Sequence, residues 1–554
     1  MYQYNDSDKT LVAERVHEFR EQAERFHAGK IADDVFRPLR LMNGIYLQTH
    51  APLLRIAIPY GLLASRQLRK LADIADKYDR GWGHFSTRQN FQFNWIPLEQ
   101  LPDAIAELAE VDMNTIQTSG NCIRNVTSDH LAGIVEGEIC DPRPYCEIVR
   151  QWATLHPEFA YLPRKFKIAI TAATDDDRTA TLLNDIGLYV VRNDAGELGF
   201  KVFVGGGLGR TPIIGKCVRE FLPELDLLSY LEAILRVYNL TGRRDAQAKY
   251  KSRIKITLKE TGLEEFTRLI EQEWQQIKDG PLKLTADKIN TMAAFFKPPA
   301  YDTSAAQDQT LEQQLNDNQS FKRWYERNVK SHKVSGYRAV FISLKVHGKA
   351  PGDITREQLN QVADLGDQFS FGLIRSTHDQ NLILSDVSQV DLYPLWQQLT
   401  AFQLATPNID TLTDMIVCPG LDFCSLANAE SISVAKEIQQ HFDDMDYLYD
   451  LGDIQLNISG CMNGCAHQSV GHIGILGVDK KGAEWYQVTL GGSSRYDAAL
   501  GKRLGPAVAR DEIVGTIVKI IELFVELREP DELFLATVRR VGIQPFKDKI
   551  YGCS

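Results

Sequence analysis

Several features that would assign a class are missing from this 554-residue chain. No run of eighteen apolar residues occurs, which excludes an ordinary membrane-spanning helix. The opening Met1-YQYNDSDKT has neither the basic start nor the apolar stretch of a secretory signal, so a cytoplasmic protein is expected. Basic charge is not in excess: Lys and Arg number 62 against 73 Asp and Glu, a formal net charge of −11. Affinity for a phosphate backbone needs a basic surface, so no nucleic acid is expected as partner. Cysteine is sparse and odd in number, nine in all, which does not make a secreted disulfide framework. The glycine-rich stretch Gly205-GGLGRTPIIGK matches neither a dinucleotide fingerprint nor a P-loop, because Arg210 and Pro212 stand where glycines are required. Its backbone amides can still hold an anionic group.

What is present is a globular composition, 44% hydrophobic and 24% charged, in a chain long enough for three or four domains. Four of the cysteines stand as Cys418-x5-Cys424 and Cys461-x3-Cys465, and four thiolates are the usual ligands of a [4Fe–4S] centre. Small residues and Pro419 crowd them, which lets backbone approach an inorganic core. Two other readings stay open. Zinc also takes four thiolates, although its knuckles favour spacings of two to four. Free cysteine also packs as a small hydrophobe, the role expected of Cys122, Cys140, Cys146, Cys217 and Cys553.

The chain repeats itself. Arg66-QLRKLADIADKY-Asp79 resembles Glu357-QLNQVADLGDQF-Ser370 at an offset of 291 residues, and the same shift carries Gln89-Asn90-Phe91 onto Gln380-Asn381-Leu382. Each copy reads as a strand (Leu54 to Tyr60; Ala339 to His347), a helix with apolar positions at 3.6 spacing, and an alternating strand. The pattern is α+β, of split-βαβ type. Further on, Tyr161-LPRKFKIAIT and Val202-FVGGGLG have echoes in Ile454-QLNISGCMNGC and Val488-TLGGSS, which predicts a duplicated, pseudo-twofold protein. Lys165 and Lys167 sit two apart in a predicted strand and share a face, and Arg88 and Gln92, four apart, do the same.

With these motifs together, residues from about 40 to 545 resemble the sulfite and nitrite reductase hemoprotein family, on its assimilatory sulfite-reducing side. The resemblance implies two ferredoxin-like half-domains (41–110 and 336–405) and two larger siroheme and iron–sulfur domains (111–285 and 406–554). An N-terminal helical extension (1–40) and a polar linker (286–335) complete the division. It also implies a siroheme coupled to a [4Fe–4S] cluster on Cys418, Cys424, Cys461 and Cys465, with Cys465 bridging the two. Substrate sulfite, and nitrite secondarily, would be bound by Arg55, Arg124, Lys165 and Lys167. The siroheme carboxylates would be met by Arg88, Gln92, Asn463 and the Gly205, Gly206 and Gly207 backbone. In plant-type nitrite reductases the second lysine is typically asparagine, so Lys167 points to sulfite. Some relatives carry a tyrosine–cysteine cross-link; Tyr46 is present here, but Ser119 stands at the partner position. No flavin or nicotinamide domain is visible, so electrons would come from a NADPH flavoprotein subunit, a ferredoxin or a flavodoxin, the chain's acidity mildly disfavouring an acidic ferredoxin. A non-catalytic iron–sulfur or zinc protein is the reading from another class.

Overall fold

A computed structural model describes residues 1–245, 251–302 and 310–552. The expectation for Cys553 and part of the 286–335 segment lie outside the described residues. The strands of the first half are β1 (Ile45–Leu47), β2 (Pro52–Ile56), β3 (Leu62–Ala64), β4 (Trp82–Phe85) and β5 (Phe91–Phe93), with helix α1 (Ser65–Lys77) after β3. They are followed by β6 (Thr127–Ser128), β7 (Ile168–Thr171), β8 (Ile186–Arg192), β9 (Leu198–Val204) and β10 (Lys216–Pro223). The second half repeats the series as β11 (Val329–Ser331), β12 (Tyr337–Ile342), β13 (Asp353–Thr355), helix α2 (Arg356–Phe369), β14 (Leu373–Ser376) and β15 (Leu382–Ser388). Its last sheet holds β16 (Ile416–Val417), β17 (Leu456–Ser459), β18 (Ile473–Lys480), β19 (Ala483–Leu490), β20 (Lys502–Arg503) and β21 (Val508–Ala509).

The fold is α+β with duplicated ferredoxin-like half-domains, and the 291-residue offset of the helices holds for β3 with β13 and β4 with β14 as well. The two small sheets run β1-β2-β5-β4-β13 and β11-β12-β15-β14-β3. Each half-domain therefore gives one edge strand to the other: β13 pairs with β4, and β3 pairs with β14. Capping the edge with the sister's strand removes an exposed ladder from each sheet. Helices α1 and α2 are joined by Arg69, which reaches Asp364 and Asp367 at 2.6 Å each. Leu63, Leu68, Leu359 and Val362 belong to one hydrophobic core that spans both half-domains. Leu63→Asp, a buried carboxylate without a partner in that core, is expected to cost about 3–5 kcal/mol and to lower the melting of both half-domains in a single calorimetric transition. Two separate transitions would contradict the shared core.

The two large sheets also match, β10-β9-β8-β7-β6 and β16-β17-β18-β19-β20, each with three parallel strands followed by antiparallel ones. Their apolar residues form two further cores.

Three expectations need correction. The segment 286–335 is not a plain linker: it holds helices Ala286–Ala293, Thr310–Asp317 and Gln319–Asn328 and leads into β11. Phe321 and Trp324, three apart on the last of these helices, are fully buried, and the Phe321 ring lies 5.0 Å from Tyr393 and 5.5 Å from Trp396. A few aromatic anchors hidden in a polar stretch suffice to dock a short helix. Next, β2 ends at Ile56 rather than at Tyr60, because Pro59 opens a tight turn in which Tyr60 takes φ 44°. Finally, Arg88 does not share a strand with Gln92. Gln89 at φ 55° breaks the extension, so Arg88 lies in the turn between β4 and β5 while Gln92 lies within β5.

Candidate active site

The cysteine motifs leave the same end of two parallel strands. Val417 of β16 lies beside Ile458 of β17, so Cys418 follows one strand and Gly460-Cys461 the other. The Cys418 amide donates to the Ile458 carbonyl at 3.1 Å, and the Gly460 amide donates to Cys418 Sγ at 3.1 Å. An amide aimed at a sulfur favours the thiolate that a metal centre needs. Glycine is required here: a Cβ on Gly460 would stand 2.6 Å from the Ala429 carbonyl oxygen and 2.9 Å from Gly420 Cα. Cys418, Cys424 and Cys465 line one cavity. Burial raises the thiols of Cys418, Cys424 and Cys461, Cys418 to about 12, and the neighbouring Cys465 sulfur adds to each shift. Among the described residues, no three His, Cys, Asp or Glu side chains stand close enough to hold a single metal ion. Three thiols that each sense Cys465 place the two cysteine motifs around one region.

The same cavity carries the predicted cations. Arg55 on β2 pairs in register with Gln92 of β5, and its Nη2 donates to Gln92 Oε1 at 3.3 Å. Its Nε is buried without a hydrogen-bond partner, a donor awaiting an acceptor. Arg124 is held by backbone carbonyls: Nη1 donates to Thr118 at 2.7 Å and Nη2 to Gly120 at 2.7 Å. The strand expected to carry Lys165 and Lys167 begins only at Ile168; the two lysines flank Phe166, which makes an isolated bridge to Ile123, and both line the cavity. Burial brings the Lys165 ammonium down to about 8, against the pull of Cys465 and with the push of Arg124 and Arg253. Lys167 is driven well below its ordinary value by burial and then by Arg88 and Lys165. Cations crowded into a cleft in this way describe a site for an anion.

Arg88 also lines the cavity, but its guanidinium is already engaged, Nη1 with Asn184 Oδ1 at 2.7 Å and Nη2 with the Asn125 carbonyl at 2.8 Å. Burial takes it down to about 9. A second cleft shares Lys165, Lys167 and Cys465 and adds Asn463, Arg253 and Lys255. In the glycine-rich loop after β9, the Gly205 amide donates to the Asp185 carbonyl at 3.0 Å and the Gly207 amide to Ile213 at 2.9 Å. A Cβ on Gly206 would stand 2.2 Å from the Leu182 carbonyl oxygen. These glycines therefore serve close packing, and two of the three amides assigned to a cofactor carboxylate are spent within the protein.

Sequence reasoning missed Asp185, Arg253 and Lys255. Asp185, fully buried, takes two hydrogen bonds from Arg253 at 2.9 and 2.7 Å and one from the Lys167 amide at 2.8 Å, which fixes the backbone that presents Lys167 just before β7. The Lys255 ammonium donates to the carbonyls of Gly207, Leu208 and Thr211 at 3.0, 2.7 and 2.6 Å and so pins the glycine loop. The alternation Arg253-x-Lys255, a repeat of Lys165-x-Lys167, was the available signal.

The duplicate of this cavity has lost the crowded cations. Phe341 pairs with Ile383 where Arg55 pairs with Gln92, Asp379 stands at the 291-residue offset from Arg88, and Asp453 and Gln455 precede β17 as Lys165 and Lys167 precede β7. The duplicate cleft is lined by Asp379, Asp410, Asp414 and Asp453, partly balanced by Arg495 and Arg539, so it carries no surplus of cations for an anion.

A duplicated ferredoxin-like scaffold, a cysteine tetrad and a cationic cleft define a redox protein that handles small anions. Comparison with known proteins narrows the class. Residues 119–278 and 409–552 match the nitrite and sulphite reductase 4Fe-4S domain, and residues 49–111 and 335–402 match the nitrite/sulfite reductase ferredoxin-like half domain. The chain belongs to the nitrite and sulfite reductase family, and is an oxidoreductase whose cofactors are a siroheme and a [4Fe–4S] cluster. It is similar to the sulfite reductase (ferredoxin) of Mycobacterium tuberculosis strain H37Rv, with 29% identity over 501 residues, covering 88% of this chain and 82% of that one. It is also similar to the assimilatory ferredoxin-dependent nitrite reductase of Haloferax mediterranei, 26% identical over 511 residues, covering 88% and 82%. The solved structure of the Mycobacterium tuberculosis NirA protein superposes with TM-score 0.77 at 26% identity, over 96% of this chain and 94% of that one. Among the described residues no helix is long and apolar enough to cross a membrane.

Proposed function

We propose that this protein reduces sulfite to sulfide, taking electrons one at a time from a ferredoxin-type donor. The observation that carries the reading is the pairing of Lys165 and Lys167 with Arg55 and Arg124 around one cleft that also meets Cys465. The relatives named for ferredoxin-dependent sulfite and nitrite reduction support both the reaction class and the donor. Their dependence on ferredoxin outweighs the argument from overall acidity, since docking responds to local rather than net charge.

Siroheme and the cluster, when bound, supply an iron that takes the substrate and a store of electrons. The four cysteines would hold the cluster, and Cys465, which lines both clefts, would be the one that also meets the siroheme. Arg88, Gln92, Asn463 and Gly206 are the proposed contacts of the siroheme's carboxylates. The chain's part in the reaction is electrostatic and protonic. Arg55 and Arg124 clamp the oxyanion, Arg124 in a geometry fixed in advance by its carbonyl contacts, so that little reorganisation is needed as charge develops. Lys165, brought down to about 8, holds its proton at neutral pH yet gives it up readily to an oxygen leaving as water. Lys167, likewise depressed by burial, moves toward the protonated form as the anion enters and offsets its burial.

The choice of sulfite over nitrite rests on Lys167. An additional cation favours a dianion over a monoanion by roughly 1 kcal/mol or more at an effective dielectric of about 20. In a comparison of kcat/KM with reduced donor, Lys167→Asn is expected to lower the sulfite-to-nitrite ratio by about tenfold. An unchanged ratio would remove the argument for sulfite.

A further inference from the structure

The anion cleft has a neighbour that neither the cysteine motif nor the cation set accounts for. Tyr46 lies on β1 opposite Leu53 of β2, and its ring sits 5.5 Å from the Arg55 guanidinium. Its hydroxyl is 3.5 Å from Arg124 Nη2. The groups that act on this phenol come from every element around it, and all are cations. Arg124 comes from the loop before β6, Arg55 from β2, and Lys165 and Arg164 from the segment before β7. Arg40, on helix Asp33–Met42, is the last of the set and is itself 4.0 Å from Asp33. The cross-link seen in some relatives has no counterpart, because Ser119 carries a hydroxyl that donates to the Leu41 carbonyl. The phenol oxygen accepts from the Arg124 guanidinium instead.

A phenol facing five cations differs from a packing tyrosine. Burial opposes its ionisation, but Arg124, Arg55 and Lys165 prevail and bring the hydroxyl down to about 8. Most of the chain's other shifted tyrosines are moved upward, Tyr4 to about 12 among them. We propose that Tyr46 is a positioning residue for the substrate anion: as a phenol it keeps Arg55 and Arg124 turned toward the cleft, and as a phenolate it takes the positive charge that the anion would otherwise use. The proposal rests on the reading of Arg55 and Arg124 as the anion clamp.

The direction of the pH effect follows. Below about 8 the phenol is neutral and both arginines are open to the anion; above it the proton leaves to water, the phenolate compensates them, and affinity falls. The test uses the holoenzyme with nitrite, whose charge is constant through neutral and alkaline pH. Its KM is expected to rise above pH 8 in both the unaltered protein and Tyr46→Phe, because Lys165 loses its proton in that range. The rise is steeper in the unaltered protein, by up to about tenfold per pH unit, whereas Tyr46→Phe starts from a higher KM at pH 7 and rises less. Ultraviolet difference titration supplies a second readout that follows phenolate and ignores Lys165, whose ammonium loses its proton in the same range. The unaltered protein should show one tyrosine ionising near pH 8 that Tyr46→Phe lacks. Identical pH profiles, or no tyrosine ionising in that range, would overturn the proposal. Arg124→Gln separates the two levels: if it leaves the KM for nitrite unchanged, the clamp itself is wrong, whereas a raised KM with an unaffected Tyr46→Phe profile overturns the role of Tyr46 alone.

Discussion

Cys465→Ser is expected to reduce sulfite turnover to background, with the iron and acid-labile sulfide content of the purified protein falling together. The four thiols do not contribute equally. Cys418 is tied to β17 through the Ile458 carbonyl and the Gly460 amide, and Cys461 is buried. Cys465 is the exposed member, lies on both clefts, and is the sulfur that all three others sense. A hydroxyl at that point cannot replace a soft thiolate at iron. The backbone there is held independently, since Thr87 Oγ1 donates to the Cys465 carbonyl at 2.8 Å. The folded chain should therefore survive with its circular dichroism and melting little changed while colour and activity are lost. Retained activity with full iron content would remove Cys465 from the centre of the site.

Lys165→Met should keep the cofactors and lower kcat for sulfite by about 10²–10⁴-fold, the usual contribution of a positioned acid. Methionine conserves much of the side chain's apolar length and removes only the ammonium, so the packing around Phe166 is preserved. Because burial and surrounding cations already press on Lys165, its removal relieves repulsion and should raise thermal stability slightly. Loss of activity together with unchanged or increased melting temperature is the signature of a catalytic cation rather than a structural one. Restoration of sulfite turnover by an added small amine would support the proton role, and a loss confined to KM would assign Lys165 to binding alone.

How much of this could be read from the chain varied with the distance over which each feature is determined. The offset of 291 residues was legible because a duplicated fold preserves its apolar pattern, and it located α1 and α2 and the strands that follow them. The exchange of β3 and β13 was not legible, because three-residue strands carry too little pattern to name a partner in another part of the chain. Lys165 and Lys167 stood out as a doubly charged face. Arg88 was misplaced by a turn that depends on a single positive φ at Gln89, a conformation that its residue type does not announce. The glycine loop shows the opposite error: its composition suggested ligand contact, while the geometry uses Gly206 to let the Leu182 backbone approach and Gly205 to admit Leu258. Asp185 and Lys255 were invisible because an isolated charge reveals its function only through the partners that burial gives it.

The most direct test of the central claim is the visible spectrum of anaerobically purified protein, recorded with iron and acid-labile sulfide analysis before and after sulfite is added to the reduced form. Siroheme bands that shift on adding sulfite, with iron and sulfide in cluster proportion, are the predicted result. A protein that stays colourless or shows only cluster absorption after siroheme supplementation, or that carries zinc in place of iron, would contradict it.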